Sequence, residues 1–299
     1  VADIELTDGQ IDWFGIPLGP GTSINIIDIS GLGRPSTRDN DTDQPSADGA
    51  WPGPDYYAPR QVQIDAAIKT PGNRDACETL LAQIQEAADD PTVRLVGGAT
   101  QALRYKRPGR TVKRLYGRVR RIDPEIGQAK HGYIPLDLEF LGTDPTWYAD
   151  EEQVTEIPLG WLTGGGFAAP VTAPIHVQDG TTAADRPGWV TNNGTTDTWP
   201  IIRITGPVAT VTVTHVPTGR QLVMPTLNLD AGQWIEIDTR PGRCTVLREN
   251  GGTADVLSPS SRIDEFALPP GQSEMRWTGF DSTITARLRL TWRDAYKAL

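Results

Sequence analysis

Between residues 60 and 69 the chain alternates without a break. Val62, Ile64, Ala66 and Ile68 take one side, and Gln61, Gln63 and Asp65 the other, which predicts a half-buried strand. The period then changes to a helical one. Ala76, Leu80, Leu81, Ile84, Ala87 and Ala88 recur at helix spacing, Asn73 stands where it can cap the start, Asp75 and Glu78 occupy the first turn, and Asp90–Pro91 stops the run. Strand patterns precede this helix at Ile11–Ile16 and Ile24–Ile29, separated by the turn-forming Pro17–Gly21. More follow at Val93–Val96, Gln101–Lys106, Val112–Ile122 and Tyr133–Leu141, the last with Ile134, Leu136, Leu138 and Phe140 on one face.

Gly31 to Pro59 interrupts this order with about thirty residues of Gly, Pro, Asp, Ser and Thr that carry Trp51, Tyr56 and Tyr57. A loop this long is either functional or a mobile insertion, and aromatic anchors favour docking. Strand periodicity ends at Thr143–Tyr148 and an acidic, Pro- and Gly-rich stretch follows from Ala149 to Pro174, so a domain boundary is expected near 150. This gives domains 1–150 and 151–299. After Val171 the segments are short strands with turn punctuation: Ile175–Gln178, Pro200–Thr205, Ala209–His215, Gln221–Met224, Gln233–Asp238, Cys244–Arg248, Phe266–Leu268, Glu274–Thr278 and Thr283–Arg293. In the last, Ile284, Ala286, Leu288, Leu290 and Trp292 form the expected core face. The fold class expected is mainly β with one helix.

Composition narrows the function classes. The 299 residues carry a net charge of −10, which disfavours general nucleic-acid affinity, and no apolar run is long enough to predict membrane insertion. The N-terminal residues lack the basic and apolar regions of a signal peptide. Cys77 and Cys244 support neither a disulfide framework nor a thiolate metal site and read as small buried residues. From Pro91 to Ile122, however, there are ten Lys or Arg and no Asp or Glu. The rest of the chain is correspondingly more acidic, and a head-to-tail contact between copies is one use of that asymmetry. Tyr105 and Tyr116 interleave with these cations and invite a nucleic-acid reading, but Val112, Leu115 and Val119 mark the segment as strand-forming.

Catalysis finds little support. His131, His176 and His215 lie in unrelated segments, and neither GxSxG nor HExxH occurs. Acidic runs such as Asp39–Asp43 lack the Gly and Glu of a calcium loop. Paired carboxylates alone would suffice for a glycosidase, yet no pair sits where one carboxyl pKa is expected to rise. Gly164–Gly166 is not followed by a phosphate-binding helix. Sugar binding without catalysis is the rival reading. Trp161, Trp189, Trp199, Trp234 and Trp277 all lie in the second half; Trp161 and Trp189 are expected in exposed loops and so are the possible glycan contacts, whereas Trp234 and Trp277 are expected in the core.

The order of pieces NNGTTDTWPIIRITGP (192–207), GQWIEID (232–238), LPPGQSEMRW (268–277) and the closing WRDAY (292–296) resembles the C-terminal sandwich of siphophage distal tail proteins. A long loop before Arg60–Ile64, one helix and a closing DPTWY (144–148) are similar to the first domain of that family. The resemblance implies a tail-tube-like β-sandwich or barrel that forms a hexameric ring at the tail tip, and a galectin-like antiparallel β-sandwich carried beside it. It implies a structural virion protein, assembled in the host cytoplasm, that is neither an enzyme nor a cofactor binder. Its partners would be the tail tube protein, the tail-tip hub or tail-associated protein, the tape measure protein, and side fibres or receptor-binding proteins, with DNA passing only in transit through the channel. The charge asymmetry and the aromatic loop assign Arg104, Lys106, Arg107, Arg110, Lys113 and Arg114 to ring contacts, and Trp51, Tyr56 and Tyr57 to docking. The alternative function is a carbohydrate-binding module that contacts host cell-wall glycans through the second domain.

Overall fold

The computed structural model describes residues 4–159 and 188–299. The chain divides into two compact units, Val1–Asp150 with Tyr296–Leu299, and Glu151–Ala295. Residues 296–299 are expected from the sequence to lie in the second domain but pack in the first unit. There the Lys113 ammonium lies 3.7 Å from the centre of the Tyr296 ring and donates to the Ala298 carbonyl at 3.1 Å.

In the first unit, β1 (Ile11–Trp13) and β2 (Ile16–Leu18) form a hairpin. The single strand expected over Ile11–Ile16 is broken because Phe14 and Gly15 both adopt positive φ, as a two-residue hairpin turn of right-handed twist requires. The Asp12 carboxylate fixes that turn by accepting from the Gly15 N–H at 2.6 Å. Next come β3 (Ile24–Ser30), the paired short strands β4 (Thr37–Arg38), β5 (Thr42–Asp43), β6 (Ala50–Trp51) and β7 (Tyr56–Tyr57), then β8 (Arg60–Lys69) and helix α1 (Arg74–Ala88). The Asn73 side chain accepts from the Ala76 N–H at 3.0 Å and caps α1. A second short helix, α2 (Pro91–Arg94), replaces the strand expected at Val93–Val96. Its cause is local: Pro91 is preset for the first helical position, and Asp90 accepts from the Thr92 N–H at 2.8 Å.

The strands β9 (Gln101–Tyr105), β10 (Lys113–Pro124), β11 (Tyr133–Gly142) and β12 (Trp147–Ala149) complete the unit. The barrel-like sheet runs β2-β1-β9-β10-β11-β8-β3, with β12 beside β10. Its inner face carries the alternating residues read from the sequence, Ile64 and Ile68 on β8 and Leu138 and Phe140 on β11, all buried. Helix α1 closes that face with Cys77 and Ile84, and the Trp13 indole N–H donates to the Ile84 carbonyl at 3.4 Å inside the core.

The second unit is a sandwich of two antiparallel sheets. One holds β13 (Gln153–Pro158), β15 (Ile201–Thr205), β18 (Trp234–Asp238), β19 (Thr245–Arg248) and β21 (Arg287–Trp292) in the order β13-β21-β15-β18-β19. The other holds β14 (Trp189–Asn192), β16 (Val208–His215), β17 (Arg220–Leu229) and β20 (Gly271–Phe280) in the order β14-β20-β16-β17. Ile202, Ile204, Ile235, Ile237, Leu288 and Leu290 meet Val211, Val213, Leu222, Met224, Met275 and Trp277 in one dry layer. Neither β13 nor β14 is anticipated by the sequence pattern, and the expected strand at Ile175–Gln178 lies outside the described residues. Phe266–Leu268 contributes only a bridge from Leu268 to Thr198. Cys244 is partly exposed at φ +45 rather than buried.

Candidate assembly surfaces

Residues 31–59 are organised, not a featureless loop. They form an arm folded back on itself, in which Thr37 pairs with Tyr57, Arg38 with Tyr56, Thr42 with Trp51 and Asp43 with Ala50. Polar groups hold the two sides together: Asp41 accepts from the Gly53 N–H at 2.9 Å, and the Asn40 amide donates to the Pro54 carbonyl at 3.3 Å. At Gly53 the strands approach so closely that a Cβ would fall 2.1 Å from the Asn40 carbonyl oxygen, which is why glycine stands there. No residue of the arm is buried, and Trp51, Tyr56 and Tyr57 are 56%, 56% and 41% exposed. All three docking residues chosen from the sequence are therefore available on this arm.

The arm has a firm root. Arg60, buried at the start of β8, donates to the Pro145 carbonyl at 3.1 Å, to those of Leu32 and Gly31 at 3.2 and 3.4 Å, to Gly33, and to Lys297 at 3.4 Å. Its guanidinium carbon stands 5.6 Å from the centre of the Trp147 ring. Burial pushes the guanidinium pKa below its ordinary value. An arginine suits this place because its planar fork can gather carbonyls from several segments at once. Sequence reading identifies Arg60 only as the start of a strand.

The basic segment divides in two. Arg104 and Arg114 face inward and share one carboxylate: Arg104 reaches Asp150 at 2.6 and 2.8 Å, and Arg114 reaches it at 2.7 and 3.0 Å. Arg104 also bonds Asp12 at 2.8 Å and the Ile4 carbonyl at 2.9 Å. Burial alone would raise the Asp150 pKa, but the hydrogen bonds and charges of the two arginines outweigh it and hold the carboxyl below its usual range. Lys106 bonds the Leu6 carbonyl at 3.1 Å and approaches Asp8 at 3.7 Å. Lys113, held by Tyr296 and Ala298, has its pKa lowered by burial and then by Arg110. Of the six cations chosen as ring contacts, Arg107 and Arg110, in the turn between β9 and β10, are the exposed ones. These two present free guanidinium groups, and Arg104 and Arg114 are committed within the unit.

On the outer face of the same sheet Asp28, Asp65 and Asp137 stand opposite one another on β3, β8 and β11. Asp65 is hydrogen-bonded to Asp137, and that bond, then slight burial, then the charges of Asp137 and Asp28 push its carboxyl pKa up. This overturns the expectation that no carboxyl pair is so placed. Strand register is the reason, since it stacks acids that are far apart in sequence. With Gln63, Arg121, Leu138 and Glu139 the pair lines a shallow cleft of about 210 Å³. Two carboxyls in hydrogen-bond contact leave no room for a sugar ring between them, whereas glycosidases hold theirs about 5–9.5 Å apart. The cleft is mainly acidic, with Arg121 as its one cation.

His215 is buried against Phe266 and hydrogen-bonded to the Thr218 hydroxyl at 2.6 Å, its pKa lowered by burial. Trp161 and His176 lie outside the described residues. Trp189 is half-buried in β14 rather than exposed in a loop, because its neighbour Val190 is drawn into the core. Trp277 is buried as expected, and its indole N–H bonds the Ile157 carbonyl at 3.1 Å. Trp234 is not core. It lies half-exposed on the sheet with the Arg203 guanidinium 4.2 Å from its ring centre, and Arg203 in turn grips Glu236 at 2.6 Å. Among the described residues no group of three or more His, Cys, Asp or Glu is placed to hold a metal ion.

The turn from Phe280 to Ala286 also departs from expectation. Ile284 is 60% exposed and Phe280 74% exposed, so the alternating core face begins only at Ala286. Asp281 accepts from the N–H groups of Thr283, Thr285 and Ala286 and from the Thr283 hydroxyl, at 2.7 to 2.9 Å, and so bends the chain before the strand starts. Ile284 is left at φ +58, a conformation that β-branched residues adopt only under strain. The run DST could signal such a turn, but the apolar period running through Ile284 hides it.

Residues 193–296 match the family described as siphovirus-type tail component, C-terminal domain. The match lies within the sandwich. The tail-component domain occupies about a third of the chain, and similarity of fold extends over nearly all of it. The crystal structure of SPP1 Dit, described as a paradigm of the hub adsorption apparatus of phages that infect Gram-positive bacteria, covers 95% of this chain and 98% of its own at a TM-score of 0.60 and 14% identity. Two structures of the phage P2 baseplate in its activated conformation are similar at the same identity. The one with Ca covers 91% of each chain at a TM-score of 0.52, and the one with Sr covers 94% of this chain and 96% of its own at 0.53. No curated protein sequence matches the chain. The chain is thus similar in fold to these phage tail proteins, and residues 193–296 match the tail-component family model.

Proposed function

We propose that the protein is a structural component of a long phage tail that forms a ring, hexameric by the resemblance, at the distal end and joins the tail tube to the tail-tip complex. The observation that carries this reading is the pairing of a tail-component domain with a hub-protein fold over 95% of the chain. Two further features support it. The first unit extends an arm with no buried residue, which has no purpose in an isolated molecule. Its outer sheet face carries Asp28, Asp65, Asp137 and Glu139 against Arg121, an acidic excess that suits a passage wall DNA must slide past without binding. The tube protein, the tape measure protein, the hub and receptor-binding or side-fibre proteins are the partners this position brings within reach.

Negative-stain electron microscopy of the purified chain, and of tails labelled with an antibody to it, tests the reading. Class averages of a ring with an open channel, and label confined to the tail tip, are expected. A chain that is monomeric at all concentrations and absent from the tail tip refutes it. The glycan-binding alternative, which began from Trp161 and Trp189, gains Trp234 as a partly exposed ring on the described sheet. Binding of the full chain to host wall polysaccharide, abolished by Trp234→Ala, is what it requires.

A further inference from the structure

We infer that the outer half of the arm docks on the turn between β9 and β10 of a second copy of the same chain, so that the Asp-rich arm of one protomer meets Arg107 and Arg110 of its neighbour. This rests on the ring reading above and specifies which surfaces close it. The charges are complementary. Residues 39–55 contain five aspartates and no Lys or Arg, and residues 106–114 contain five cations and no acid. Within one copy the arm's charge is not answered: Asp39, Asp43, Asp48 and Asp55 make no ion pair among the described residues, and neither do Arg107 and Arg110. Asp8, an acid that touches the turn, is taken by Lys106 and by the Gly109 N–H at 3.0 Å.

Shape agrees with charge. With Thr37 opposite Tyr57 and Asp43 opposite Ala50, the two sides of the arm stay together from residue 37 to 43, a reach of roughly 20 Å. It carries an exposed Trp51 on a segment whose only charges are carboxylates, Asp39, Asp41, Asp43, Asp48 and Asp55, a composition suited to an arginine-bearing partner. The root clasp at Arg60 fixes the direction in which the arm leaves the sheet, so each copy presents it alike, as a closed ring of identical contacts demands.

Charge exchange in the full chain tests this. Three variants, Arg107→Glu/Arg110→Glu, Asp43→Lys/Asp48→Lys, and the quadruple combination of both, are compared with the wild type by sedimentation equilibrium at low and high salt. Every substituted side chain is exposed, and melting curves show whether the fold is kept. Each double variant is expected to weaken self-association by about tenfold or more at low salt. The quadruple variant, in which the signs are reversed but complementary, is expected to recover most of it. Association in the wild type with no loss in either double variant, or with no recovery in the quadruple, overturns the arm-to-turn contact and leaves the ring reading standing. A wild-type chain that never associates overturns both.

Discussion

Removing the Asp150 carboxylate while keeping its shape, as Asp150→Asn, should cost the first unit more than any other single polar change. Arg104 and Arg114 have side chains only 6% and 9% exposed, and both spend two N–H groups on this one carboxylate. Asp12 and Asp150 together balance the two arginines, so the variant leaves one buried positive charge unanswered. Breaking a buried pair from one side costs about 3–5 kcal/mol. For a unit of this size each kcal/mol lowers the melting temperature by about 2–4 °C, so a drop of about 6 °C or more is expected by differential scanning calorimetry. The pH dependence supplies a second test. The folded-state pKa of Asp150 is depressed, so its contribution is complete above the unfolded value of 3.8 and is lost as pH falls through the folded value. The gap between wild type and variant should be flat from about pH 5 to 8 and close below about pH 4. A variant that melts within about 1 °C of the wild type at neutral pH, or a gap that widens in acid, would refute the argument that these arginines are internal.

Three other outcomes follow from the geometry. Arg60→Met frees five backbone carbonyls at the arm root, so chymotrypsin should cut after Tyr56 and Tyr57 several-fold faster, and stability should fall by about 2 kcal/mol; unchanged cleavage would count against the clasp. Ile284→Asn places a residue tolerant of positive φ at +58 and should raise the melting temperature of the second unit by about 2–4 °C, for about 1 kcal/mol of relieved strain; a lower melting temperature would mean the exposed isoleucine is held for packing after all. Slight burial opposes ionisation of Asp281, but its hydroxyl and N–H donors lower its pKa to about 2. The melting deficit of Asp281→Ala should therefore persist from neutral pH to about pH 4 and vanish as pH approaches 2, and a constant deficit across that range would exclude ionisation as the cause.

Local periodicity carried much of this architecture. The Gln61–Ile68 alternation, the Asn73-capped helix and the Tyr133–Leu141 strand are as the sequence states them, because each buries one regular face against a core. What periodicity missed was decided by side chains acting on the backbone nearby: Asp12 and Phe14 turning a strand into a hairpin, Pro91 starting a helix, Asp281 delaying a strand. The candidate surfaces were legible in kind and not in detail. A run of ten cations announces a basic segment, but only the fold turns Arg104 and Arg114 inward toward Asp150 and leaves Arg107 and Arg110 outside. The Asp65–Asp137 pair and the Arg60 clasp depend on strands brought together from distant parts of the chain, and no local pattern encodes them.

Residues 296–299 rejoin the first unit after the whole of the second has been traversed. The second unit is thus a cassette spliced into the first, and the ribosome delivers the Lys297 carbonyl for Arg60 and the Tyr296 ring for Lys113 only after residues 151–295 have emerged. Folding of the first unit around that cassette closes a long loop at a cost of about 4 kcal/mol, a cost that a collapsed, folded sandwich largely removes. A chain truncated anywhere in the sandwich therefore lacks the final clasps at the arm root.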